Sequence, residues 1–172
     1  MQLVSIEEAR QIEALLYKEA RLADESRYAE WEDLVDDDMY YWVPAGQSAG
    51  SDPSRTVSVI ADNRRRLKSR IAQLMTGVRH AQLPASPMRR VLSNIEVNKD
   101  EAPKEQGAQE YSVRANFVLY ELRAQSTNTI EVWPGSVEYR VRAKASGEWK
   151  IFYKKVALVH GSEPLATMGF LI

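Results

Sequence analysis

Apolar residues recur at two different periods along this chain, and the change of period divides it. Near the start, Ile6, Ala9, Ile12, Leu15, Leu16 and Leu22 follow helical spacing with charges between them. Ser5-Ile6-Glu7-Glu8 fits a capping box, so the pattern predicts a helix over residues 5–23. Ser26 is placed to cap a second, shorter helix whose apolar side is Tyr28, Trp31, Leu34 and Val35. Residues 39–43 are aromatic and β-branched, which predicts a strand ended by Pro44. Residues 44–56, with Pro44, Gly46, Gly50 and Pro53, read as a loop. Leu67, Ile71 and Leu74 form the stripe of a third helix, capped by Asp62 or Asn63 and stopped by Gly77.

From residue 88 onward the period becomes two. Residues 88–97 read as one strand and 99–109 as a polar hairpin loop. Tyr111, Val113, Ala115, Phe117 and Leu119 alternate with polar residues, as do Val137, Tyr139 and Val141. Trp149, Ile151 and Tyr153 alternate with Lys150, Phe152 and Lys154, after a turn at Ser146-Gly147. Alternation of this kind marks long antiparallel strands with one buried face. Trp133-Pro134-Gly135 is expected to interrupt its strand as a bulge or edge. Helices first and strands after give an α+β arrangement, with helices on one face of a curved antiparallel sheet that wraps into an open cone.

Composition adjusts this picture only a little. The 172 residues suit a single domain, residues 1–172, with no internal repeat or dividing linker. Apolar content of 44% and charged content of 27% are those of a soluble globular protein, and a net charge of −1 provides no global field for nucleic acid or acidic membrane. The first residues carry Glu7 and Glu8 and no apolar core of a signal peptide, and the longest apolar run, 39–43, is far too short to span a bilayer, so a cytoplasmic location is expected. There is no cysteine, which excludes disulfides, thiolate zinc sites, thiol nucleophiles and cysteine-ligated iron–sulfur clusters in this chain.

Candidate chemistry is sparse. Asp36-Asp37-Asp38 can supply a carboxylate for acid–base work, but three consecutive acids point in different directions and read better as a solvated turn before a strand. His80 lies beyond the third helix among polar neighbours. It can serve as a general base with Tyr40, Tyr41 or Asp38, but reads better as bonded to loop backbone or set at an interface. His160 falls between the last strand and the tail and has no local ligand pattern. Arg64-Arg65-Arg66, Lys68 and Arg70 invite a nucleic-acid reading that the balanced charge opposes, and a salt-bridged, partner-facing surface fits them better. Trp31, Trp42, Trp133 and Trp149 are expected as core or interface anchors. There is no glycine-rich phosphate loop, nucleophile elbow or zinc signature.

Several stretches together are more specific. Tyr28-Ala29-Glu30-Trp31-Glu32-Asp33-Leu34, then Asp36-Asp37-Asp38, Met39-Tyr40-Tyr41 and Val43-Pro44, resemble the small (β) subunits of Rieske-type aromatic-ring-hydroxylating dioxygenases. So do Leu67, Arg70-Ile71, Thr76-Gly77, His80-Ala81-Gln82, Pro84-Ala85-Ser86-Pro87, Arg89-Arg90, Ser93-Asn94-Ile95, Ala115-Asn116-Phe117 and the terminal strand from Trp149 to Val159. The resemblance covers nearly the whole chain, apart from residues 44–56 and 98–109.

It implies a cystatin-like or nuclear-transport-factor-like cone. It also implies a non-catalytic structural and assembly subunit with no cofactor and no catalytic or metal residue of its own. The α subunit then holds the Rieske cluster and a mononuclear iron and adds dioxygen to an aromatic ring, with electrons relayed from NADH. Three α and three β subunits commonly assemble in that family. The absence of cysteine agrees independently, because a Rieske site needs two cysteines. On this reading His80, Gln82, Arg89, Arg90 and Arg64 are expected at or near a subunit contact. The alternative is a stand-alone dehydratase or isomerase of the same cone fold that uses His80.

Overall fold

The computed structural model describes residues 3–46, 52–77, 84–101, 107–166 and 168–172. Helix α1, Ile6–Asp24, begins at the expected box: the Ser5 hydroxyl accepts the Glu8 N–H, and the Glu8 carboxylate accepts the Ser5 N–H at 2.8 Å. Its Ile12, Leu15, Leu16, Leu22 and Ala23 are buried. Ser26 does not cap the second helix. It sits at φ 55 where α1 ends, and Arg27 takes the cap position of the single-turn helix α2, Tyr28–Glu32, without a side-chain cap bond.

Strand β1, Val35–Pro44, is longer than residues 39–43 and absorbs the three aspartates that were expected to form a solvated turn. The reason is charge neutralisation. Arg142 donates to Asp36 at 2.8 Å and to Asp38 at 3.0 Å, and Lys144 donates to Asp36 at 2.8 Å, so acids that would repel one another lie along an extended strand. Burial pushes the Asp36 carboxyl up, but Lys144, the Asp37 N–H and Arg142 outweigh it and hold it below the usual range. A short strand β2, Ser58–Asn63, follows within a stretch that carried no strand expectation. Asn63 then caps α3, Arg64–Met75, by accepting the Arg66 N–H at 3.0 Å, and Gly77 follows at φ 70.

The remaining strands are β3, Met88–Lys99, β4, Gln109–Leu122, β5, Ile130–Ala143, and β6, Trp149–Leu158. They complete one six-stranded sheet in the order β2-β1-β6-β5-β4-β3, antiparallel except where β1 runs parallel to β6. The helices cover its concave face, and the core lies between them. This is the α+β arrangement that the change of period predicts.

Two strands correct the sequence reading. Trp133-Pro134-Gly135 does not interrupt β5, which pairs with β4 continuously from Ala143 to Ile130. The Pro134 carbonyl accepts the Val159 N–H at 3.0 Å, so the missing proline N–H points to the β6 side. There β6 has already ended, its pairing with β5 starting at Gly135↔Leu158, and no ladder bond is lost. In β6 the alternation changes phase. Arg140 pairs with Tyr153 but Val141 pairs with Ile151, so Phe152 is an extra residue. Beyond that bulge Lys154, Val156 and Leu158 point inward, and Tyr153 and Lys155 point outward. A lysine is thereby delivered to the core.

Candidate subunit interface

The cone interior is the first place where this architecture can hold chemistry, and it is already filled. Glu19 of α1 is fully buried and accepts from Lys154 Nζ at 2.7 Å, Trp31 Nε1 at 2.7 Å and the Tyr139 hydroxyl at 3.2 Å. Burial alone would raise the Glu19 carboxyl, but the Lys154 and Arg90 cations and its hydrogen bonds hold it below the usual carboxylate range. Burial likewise pulls the Lys154 ammonium below the usual lysine range, against the attraction of Glu19. Beside this pair, Arg90 Nε donates to Asp24 Oδ1 at 2.7 Å, and the Arg90 N–H donates to Asp24 Oδ2 at 2.8 Å. Phe170, Leu171 and Ile172 are buried around the same groups.

The outer face of the sheet divides into two halves. Strand pairing places Asn98, Ser112, Arg140 and Tyr153 in one row and Glu96, Arg114, Glu138 and Lys155 in the next. This polar half lines a groove of about 790 Å³, crossed by the Arg140–Asp100 ion pair. Toward the other end the rows turn apolar. One runs Val91, Val118, Pro134 and the next runs Arg89, Tyr120, Val132, with Leu122 and Ile130 beyond. Val91 is 58% exposed, Tyr120 46%, Ile130 62% and Val132 43%, a contiguous apolar surface across three strands. Scattered apolar residues are ordinary on a surface, whereas a contiguous patch on a sheet face is a candidate contact surface.

The expected interface residues separate when placed on this frame. Arg89 is exposed in the apolar half, where its Nη1 donates to the Met88 carbonyl at 2.7 Å. Arg90, its neighbour, faces the opposite way into the interior, its side chain 3% exposed and committed to Asp24. Arg64 opens α3, beside β1 and β2 at the other edge of the sheet, and pairs with Glu32 at 2.7 Å. His80 and Gln82 lie outside the described residues. His160 packs its ring 5.8 Å from that of Trp133. Trp31, Trp42 and Trp133 are fully buried, and Trp149 is partly so.

The apolar half of the outer face escaped the sequence reading, although a signal was present. Phe117-Val118-Leu119-Tyr120 breaks strict alternation with four apolar residues in a row, which is how a strand covered on both faces is written.

A Rieske cluster does not fit this chain, because the sequence has no cysteine to ligate it. Among the described residues no group of three or more histidine, cysteine or acidic side chains is placed to hold a metal ion. Nor is any described helix long and apolar enough to cross a membrane.

Comparison with known proteins adds the lineage. The model of the family described as "Ring hydroxylating beta subunit" matches residues 18–162. The small oxygenase component of the p-cumate 2,3-dioxygenase system of Pseudomonas putida is 32% identical over 151 residues, covering 86% of this chain and 77% of that relative. In fold, the chain is similar to the β subunit of benzoate 1,2-dioxygenase from Burkholderia mallei, with a TM-score of 0.65 at 22% identity, covering 99% of this chain and 100% of that one. An NTF2-like protein with a cystatin-like fold from Novosphingobium aromaticivorans superposes with a TM-score of 0.63 at 19% identity, covering 92% of this chain and 86% of that one. The expected cystatin-like cone is thus the fold observed.

Proposed function

This chain belongs to the ring hydroxylating β-subunit family, a structural subunit of an aromatic-ring dioxygenase, and on that premise we propose that it assembles with its large subunit through the apolar half of its outer sheet face. The observation that carries the reading is the exposed patch of Val91, Tyr120 and Val132, with Arg89 in the same row as Tyr120 and Val132, on the face the helices leave open. Apolar anchors with an arginine among them are the composition of interface cores.

Residues 1–172 act in this role as one domain in the cytoplasm, in an assembly of three large and three small subunits. The Rieske cluster and the mononuclear iron reside in the large subunit, since two thiolates must come from a chain that has them. The similarity to the p-cumate system's small component points to a substituted aromatic compound as the complex's substrate.

Co-expression with the cognate large subunit tests the surface. Val132→Asp and Tyr120→Lys each place a charge on the patch without touching the core. Each is expected to leave the isolated chain's melting temperature within about 2 °C of the parent and to weaken co-purification about tenfold or more. Unchanged recovery of the complex from both variants would refute this location.

A further inference from the structure

The last residues of the described chain are held in an unusual way. After β6, the chain turns through residues 159–163, where the Gly46 N–H donates to the Gly161 carbonyl at 2.9 Å. Residues 162–166 and 168 then run, partly exposed, along a groove of about 620 Å³ lined by Val59, Ile60, Leu165, Met168 and Arg70. The chain next plunges into the mouth of the cone without joining a helix or strand. Phe170, Leu171 and Ile172 are 2%, 0% and 1% exposed.

Side chains of the cone wall, not a strand ladder, supply the hydrogen bonds to this segment. Arg90 Nη2 donates to the Leu171 carbonyl at 2.9 Å. The Tyr41 hydroxyl accepts the Ile172 N–H at 3.0 Å and donates to the Ile172 carbonyl at 2.9 Å. The Phe170 ring meets Trp133 edge-on at 5.8 Å. An aromatic wall, an apolar enclosure and donors aimed at carbonyl oxygens are the elements of a small-ligand or peptide site. Buried backbone needs hydrogen-bond partners wherever it lies; here side chains of the wall supply them, so the segment can leave without breaking a strand ladder.

We propose that the mouth of the cone is a binding site for a short apolar peptide with an aromatic residue two positions before its last contact, and that the chain's own residues 168–172 are its tethered occupant. The wall donors Arg90 and Tyr41 read the backbone, while Trp133 and the surrounding core read the side chains. The strap of residues 162–166 acts as a tether that raises the occupant's effective concentration. The site is therefore separable from its occupant and loadable in trans.

The test is complementation. The chain is ended after residue 167, and the amidated peptide Met-Gly-Phe-Leu-Ile is added to it. The truncated chain is expected to keep its far-UV spectrum and to melt about 10–20 °C lower, because three fully buried apolar side chains are removed. Added peptide raises the melting temperature saturably, a peptide of the same composition in scrambled order does not, and Tyr41→Phe in the truncated chain weakens peptide binding up to about tenfold. Should the truncated chain fail to fold, a second variant places a protease site within residues 163–166 and is cut after folding. Native mass spectrometry then reads whether the cut tail stays bound and exchanges with labelled peptide. Retention with exchange supports the proposal. A truncated chain that melts like the parent, a peptide that does not bind, or a cut tail that leaves with no change in melting would overturn it.

Discussion

Replacing Lys154 by methionine probes the least expected feature of the interior, a lysine that faces Glu19 at 2.7 Å with its side chain 2% exposed. Methionine keeps most of the volume and deletes the charge, which leaves Glu19 buried with donors from Trp31 and Tyr139 but without the cation it binds directly, Arg90 acting on it only through space. Glu19 then has two routes. It stays charged, which for a broken buried pair costs about 3–5 kcal/mol. Or it takes a proton, which at pH 7 costs about 1.4 kcal/mol for each unit above its ordinary value of 4.5, roughly 3.4 kcal/mol in all. The cheaper route sets the limit, so Lys154→Met should lose about 3 kcal/mol at pH 7. The sign of the pH dependence follows. The variant's Glu19 has a folded value raised above the unfolded one, so the penalty is absent near pH 4.5 and grows as pH rises. At pH 5.5 it should be about 1.4 kcal/mol. Adding Glu19→Gln supplies a neutral side chain that accepts from Trp31 and donates to Tyr139, and should recover all but about 1 kcal/mol. Urea unfolding followed by circular dichroism at the two pH values measures all three chains. A penalty independent of pH, or a double variant as unstable as the single one, would refute the assignment of this pair as an intact buried ion pair.

Two further outcomes rest on single contacts. Gly135→Ala would set a Cβ 2.5 Å from the Ala157 carbonyl oxygen and 2.8 Å from the Phe117 ring, so the variant should be about 1–3 kcal/mol less stable by denaturant unfolding; an unchanged midpoint would refute a close β5–β6 approach at this position. Glu8 accepts from Lys99 and from the Tyr111 hydroxyl, and these bonds with that of the Ser5 N–H pull its carboxyl down to about 2. A depressed carboxyl contributes stability above its ordinary value of 4.5 and loses it as pH falls toward 2. The parent should therefore lose about 1 kcal/mol relative to Glu8→Gln between pH 5 and pH 2, a modest amount because the pair is partly solvated, and parallel acid unfolding curves for the two chains would contradict this.

Much of the fold was legible because alternation and capping are local. The Ser5–Glu8 box, the Leu67 and Ile71 stripe under Asn63, and the inward row from Tyr111 to Leu119 all stand where periodicity sets them. What escaped depends on partners distant in sequence. Asp36–Asp38 read as a turn because three acids in isolation repel, and only Arg142 and Lys144, more than a hundred residues away, make them a strand. The β6 phase change comes from one extra residue, Phe152, with no turn signal to announce it, and that residue moves Lys154 from the surface to the core. Arg89 and Arg90 look like one basic pair in sequence, yet adjacent strand positions face opposite ways, so one is available to a partner and the other is committed to Asp24.

These displacements bear on where a cone of this kind does its work. A pocket enzyme on this architecture needs interior polar groups free to meet substrate, and function follows sites and not folds. Here the interior groups are spent on one another: Glu19 binds Lys154, Trp31 and Tyr139, Arg90 binds Asp24 and the Leu171 carbonyl, and Tyr41 binds Ile172. The bulge at Phe152 is what permits this, since without it the lysine would point outward and leave Glu19 without its cation. With residues 170–172 seated, these groups are satisfied within the chain itself. A sheet face with free energy still to gain is the outer one, where Val91, Tyr120, Ile130 and Val132 remain in water side by side. Burying each half-exposed side chain contributes on the order of 1 kcal/mol, so in the proposed contact these four would contribute a few kcal/mol once a larger partner surface excludes water around them.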